Sequence, residues 1–148
     1  MSVSRLLAVA ATISILSLTL ASPEARAQST SVVLPSSFPR TDVEVIDIKR
    51  GDGGTTVTVH GVVHNRSDHS VTIGYVSDIY LADFKNRRKY LVIHDSAGTC
   101  FCSTGPQLAV EAGADGRFWA KFPAPPEAIN ALSFGWGAIE PGLVPVTN

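Results

Sequence analysis

The chain has 148 residues, 45% of them apolar and 17% charged, with a formal net charge of −1. That balance excludes a disordered polyelectrolyte and leaves no global field for gathering nucleic acid or an acidic membrane. With residues 1–27 set aside, about 121 remain, enough for one core and too few for two ordinary domains.

Residues 1–27 have the plan of a signal peptide. Arg5 supplies a positive flank, Leu6 to Leu20 an apolar stretch, and Ala25-Arg26-Ala27 a small-x-small pattern before Gln28. A second such pattern, Thr19 and Ala21, makes Ser22 the fallback start. The apolar run contains Thr12, Ser14, Ser17 and Thr19 and falls short of the roughly 20 residues that span a bilayer. The expected mature chain is secreted or periplasmic, with no membrane span after signal removal and no cysteine near the cut to take a lipid. Losing Arg5, Glu24 and Arg26 leaves 10 basic against 12 acidic residues, a net charge of −2.

Residues 28–40 are Ser-rich and broken by Pro35 and Pro39, so they read as a flexible tether before a β-domain over 41–148. From Thr41 the dominant period is two. Val43 and Val45 alternate with Asp42 and Glu44, then Ile46 and Ile48 take the opposite parity, which predicts a bulge or a strand covered on both faces. Gly51-Asp52-Gly53-Gly54 marks a turn. In the next strand Val57, Val59 and Val63 face one way and Thr56, Thr58, His60 and His64 the other. Asn65 to Asp68 turns the chain, and Val71-Thr72-Ile73 starts another strand. Ser77 to Phe84 and Lys89 to His94 form a pair joined by Lys85-Asn86-Arg87-Arg88. Leu108 to Glu111 is a short strand before the Gly-rich turn 112–116. Arg117 to Phe122 and Ala131 to Trp136 each carry large apolar residues on one face, with Pro123, Pro125 and Pro126 between them. Pro126 to Asn130 offers the one short helical pattern.

Seven or eight short strands with turn signals at roughly 8–12 residue spacing predict an all-β, antiparallel sandwich, with a small closed barrel as the alternative. The expected core is Val57, Val59, Val63, Ile73, Ile79, Leu81, Phe118, Phe122, Leu132 and Phe134. The strands from Thr41 to Ala138, ending in a strand–proline–strand pattern, resemble the immunoglobulin-like (telokin-like) domains of small exported bacterial proteins. Tyr90 to Ser103, with Asp95, Gly98, Cys100 and Cys102, and Phe122-Pro123-Ala124-Pro125-Pro126 are similar to blocks that precede outer-membrane-protein-A-type modules. The resemblance implies a fold and carries no catalytic residue onto this chain. The cell-wall module itself has no counterpart here.

Cys100-Phe101-Cys102 carries two readings. An exported pair without other partners suits a local structural disulfide, because Gly98 and Gly105 let the backbone bring the sulfurs together. As thiolates, the same pair with His94 suits Cu(I) or zinc by ligand type, or thiol redox chemistry. His60 and His64 share a strand face but lie about 13 Å apart along it, too far to clasp one ion. His64 and His69 flank a turn and could approach each other. Lys85, Arg87, Arg88 and Lys89 are the one basic cluster: a solvated hairpin tip that discourages edge pairing, or a contact for a phosphate-bearing polymer, anionic lipid or acidic partner. Without interleaved aromatics it does not suit nucleic acid. Asp52, Asp95 and Asp115 read as turn residues, and Asn65-Arg66-Ser67 is a glycosylation sequon in form.

No nucleophile elbow, metalloprotease helix, phosphate loop or dinucleotide fingerprint occurs in the sequence. The expectation is a non-enzymatic exported domain without a cofactor, binding a protein or cell-envelope partner. The alternative is a thiol-redox or copper/zinc-handling protein using Cys100 and Cys102.

Overall fold

Period-two patterning becomes ten strands among the residues that the computed structural model describes, 31–103, 105 and 107–148. In chain order they are β1 (Val32–Pro35), β2 (Thr41–Arg50), β3 (Thr56–Asn65), β4 (Val71–Gly74), β5 (Tyr80–Asp83), β6 (Arg88–Leu91), β7 (Leu108–Val110), β8 (Asp115–Pro123), β9 (Ala131–Trp136) and β10 (Ile139–Thr147). A 3-10 turn over Val76–Asp78 breaks what reads in sequence as one strand from Ser77 to Phe84. The helical pattern at Pro126–Asn130 is instead a turn, closed by the Ile129 N–H on the Pro126 carbonyl at 2.9 Å. The expected signal segment, 1–27, lies outside the described residues.

The all-β class holds, but the sheet is mixed, which corrects the expectation of antiparallel pairing throughout. One curled sheet runs β6-β5-β9-β10-β2-β3-β8, and β4 pairs with β7 separately. β10 is antiparallel to β9 as far as Pro145, then sets Val146 and Thr147 parallel to Ile48 and Lys49 of β2. The reason lies on the edge of β2. Antiparallel β1 covers that edge only from Asp42 to Val45, so the stretch beyond is open to the returning C-terminus. The register of β2 against β3 shifts between Val45 and Asp47, the bulge that the parity change at Ile46 predicts.

The segment expected as a flexible tether thus contains a strand. Leu34 is buried and lies over Gly142, where a Cβ would overlap the Leu34 side chain. Pro35 is tolerated because it ends an edge strand.

All ten expected core residues are buried. Phe118 of β8 meets Trp136 and Phe134 of β9, with ring centroids 4.9 and 6.2 Å apart, although β8 and β9 are far apart in the strand order. That contact requires the sheet to curl around one core. Gly61 makes room for it: a Cβ there would strike the Phe118 ring and come within 2.8 Å of the Glu44 carbonyl oxygen. Chain beyond β6 then bridges to β8. The Ile93 N–H donates to the Lys121 carbonyl, the Lys121 N–H to Phe101, and the Ser103 N–H to Trp119, at 2.8–2.9 Å. Val71, Ile73 and Val110 of the β4–β7 pair join the same core.

Candidate functional site

The β5–β6 hairpin positions the basic cluster. Asp83 is buried at the end of β5, and its carboxylate accepts the Asn86 N–H at 3.1 Å and the Asn86 Nδ2 at 2.6 Å. The Asn86 side-chain hydrogen bond holds the Asp83 carboxyl below its usual range. Arg87 closes the turn with a φ of 52°, in the left-handed region. These restraints fix a tip on which Lys85, Arg87, Arg88 and Lys89 are all exposed. Among the described residues none of the four forms an ion pair, so their charge faces solvent. The Lys89 ammonium also stands 4.0 Å from the Tyr80 ring centroid. Phe84, placed inside a strand by its sequence pattern, is 74% exposed beside the cations. A shallow depression of about 500 Å3, lined by Lys85, Asn86, Arg88, Pro126, Ala128 and Ile129, adjoins the tip.

At the opposite rim of the hairpin sheet, Cys100 and Cys102 are joined as a disulfide with Cα atoms 5.3 Å apart. Cys102 is buried opposite Ala120, while Phe101 projects between them, partly exposed. Asp95 shapes the loop as a turn residue, its carboxylate accepting the N–H groups of Ala97 and Thr99 at 2.9 and 2.8 Å. His94 sits opposite Cys100 in an antiparallel bridge and its Nδ1–H donates to the Val92 carbonyl at 2.9 Å. Among the described residues no group of three or more His, Cys, Asp or Glu side chains is placed to hold a metal ion.

The other histidines are drawn to carboxylates. His60 bonds Asp47 at 2.7 Å and His69 bonds Asp68 at 3.0 Å. His64 is held on both ring nitrogens, by Glu44 and by Asp115 at 2.9 Å each, and Arg66 bonds the same Asp115 at 2.8 Å. Asp115 is therefore a strand residue in an ionic cluster, which corrects its reading as a turn residue. The hydrogen bond to Glu44, then that to Asp115, raises the His64 pKa, and the bond to His64 lowers both carboxylates. Sequence reasoning missed this cluster because Glu44, His64 and Asp115 meet only through the pairing of β2, β3 and β8.

In the sequence Asn65 reads as the start of a turn and as part of a sequon. It is completely buried, and its Nδ2 reaches the carbonyls of His69, Val110 and Glu111 at 2.8–3.0 Å. Its Oδ1 accepts from the Ser67 N–H and hydroxyl. Its role is to tie the end of β3 to β7.

Compared with protein-family models, curated proteins and solved structures, the chain matches none. Among the described residues no helix is long and apolar enough to cross a membrane.

Proposed function

We propose that the chain is an exported, non-enzymatic β-domain that binds a protein or cell-envelope partner through the β5–β6 tip. The observation that carries this reading is the tip itself: four cations in five residues, without an ion pair among the described residues, on a turn pinned by Asp83 and on the first residues of β6, beside an exposed phenylalanine. Burying a phenylalanine is worth about 1.5–3 kcal/mol, which a partner covering Phe84 would gain. Export is supported by the signal-like plan of residues 1–27 and by the disulfide, which persists in oxidising compartments.

The immunoglobulin-like assignment belongs to the same proposal. Its support is the strand order: β2-β3-β8 and β6-β5-β9-β10 follow the A-B-E and C′-C-F-G runs of that sandwich. The test of function is affinity capture from the native envelope with wild type and with Lys85, Arg88 and Lys89 replaced by Ala. A component held by wild type and lost by the variant supports the reading; equal capture by both overturns the role of the tip.

A second reading, thiol-redox or copper/zinc handling, is favoured by the placement of His94 beside Cys100. It requires both sulfurs as thiolates. Free thiols with stoichiometric metal in natively recovered protein would establish it in place of the first.

A further inference from the structure

We propose that the partner of the β5–β6 tip is an anionic lipid surface, with Phe84 entering the headgroup layer and Lys85, Arg87 and Arg88 meeting the phosphates. This rests on the binding-domain reading and names its partner. Charge distribution argues for it first. Between residues 28 and 148, four of the 10 basic residues fall within 85–89, a stretch with no acidic residue. The rest of that chain carries 6 basic against 12 acidic residues. An anionic surface therefore attracts the tip and repels the remainder, which orients the molecule before contact. The acidic group nearest in sequence, Asp83, is buried, ionised and hydrogen-bonded to Asn86; it offsets one of the four positive charges and leaves the tip strongly positive.

Separate exposed apolar groups stand on the outer face of the same sheet. Lys89, Ala82, Ser133 and Leu143 form a directly paired row across β6, β5, β9 and β10 in which Ala82 and Ser133 are buried and Leu143 is exposed, and Leu91 lies opposite Tyr80. Tyr80 lies across Gly135 on this face, where a Cβ would overlap its ring. Among the described residues, Phe84 at the tip and Leu91 and Leu143 on the face are the three most exposed large apolar side chains, at 74, 61 and 67%. An exposed aromatic ring next to a run of cations matches the layered chemistry of a bilayer surface, where aromatic rings sit at headgroup level and cations meet phosphate. A folded acidic protein would instead need carboxylates matched to each cation and a pocket for Phe84.

The test is co-flotation of the mature protein with vesicles of phosphatidylcholine alone or with a large share of phosphatidylglycerol. Wild type is expected to float with the anionic vesicles only, and to be released near 1 M salt, where screening acts within about 3 Å. Each cation at such a surface contributes roughly fivefold, so Lys85→Gln, Arg87→Asn and Arg88→Gln together should weaken binding about a hundredfold. Asn at 87 suits the left-handed φ. Phe84→Ser should weaken it about tenfold while keeping the salt dependence. Unchanged melting temperatures show that the variants fold. Wild type left unbound by anionic vesicles at low salt, or a triple variant that floats equally well, overturns the lipid assignment. If envelope capture still depends on the tip in that case, the binding-domain reading stands with a protein partner; if it does not, both fall.

Discussion

At the scale of single residues, the strongest constraint is a polar one. Asn65 shares its two amide N–H donors among three backbone carbonyls and accepts from two Ser67 donors, at a site with no exposure. Removing it takes the amide donor from the buried Val110 contact and the acceptor from the Ser67 N–H, and each buried group left unpaired costs about 1–3 kcal/mol. Asn65→Ala should therefore destabilise by about 2–4 kcal/mol in urea unfolding, and a cost near zero would show that water replaces the amide. The same burial denies the sequon to a glycan in the folded chain.

His64 gives the second residue-scale expectation, in pH. Its pKa is raised, so its contribution is complete below the unfolded value near 6.5 and is lost as pH rises through the folded one. Glu44 and Asp115 are lowered, so theirs is present above their ordinary values, 4.5 and 3.8, and is lost as pH falls through the folded ones. The cluster should stabilise most between about pH 4.5 and 6.5. In His64→Gln the stability deficit against wild type, followed by denaturant midpoint, should be largest in that window and shrink on both sides. A deficit that is constant with pH would mean that packing, not ionisation, sets the role of His64.

At the scale of elements, the disulfide and the strip around it have separable roles. A ring spanning three residues removes little unfolded-state entropy, on the order of 1.5 kcal/mol. The strip also has its own restraints: Ile93, Phe101 and Ser103 hydrogen-bond with β8, and Asp95 ties Ala97 and Thr99. Replacing both cysteines by Ser should thus cost about 1–2 kcal/mol while the Ile93, Lys121 and Ser103 amides stay protected in hydrogen exchange. Loss of that protection would assign the closing of the sheet edge to the covalent bond. β10 shows the opposite relation between sequence and element. The sequence pattern predicts no strand after Trp136, and Pro141, Gly142 and Pro145 would each weaken one, yet β10 forms there: Pro141 falls where the pairing with β9 shifts register, and pairing resumes at Gly142. Pro141 removes no ladder hydrogen bond because the ladder is already irregular there, and Pro145, paired with Ala131, turns its nitrogen away from β9, where the bond runs from the Val146 N–H to the Asn130 carbonyl.

For the whole molecule, the chain before Thr41 matters more than its composition suggests. Leu34 should behave as core: Leu34→Ala is expected to cost about 2–5 kcal/mol, whereas Val33→Ala, at an exposed neighbour, should stay within about 0.5 kcal/mol. Equal small costs by thermal or denaturant unfolding would return residues 28–40 to the status of a tether. Cleavage after Ala27 would leave Gln28 to Ser31 ahead of β1, and N-terminal sequencing of exported protein should begin at Gln28.

What the sequence determined by itself is local and periodic. Alternation set which side chains of β3, β5, β8 and β9 face inward, because a one-residue slip would bury each strand's polar set. It also marked the bulge at Ile46 and placed the cations on one hairpin turn. Tertiary structure alone decided what depends on pairing between distant segments: β10 lying parallel to β2, β1 covering part of its edge, and Glu44, His64 and Asp115 meeting across three strands. It also decided that Phe84 stands outside beside the cations while Asn65 lies inside. Period two distinguishes the faces of a strand; which strand becomes its neighbour depends on how the sheet curls to bury a common core.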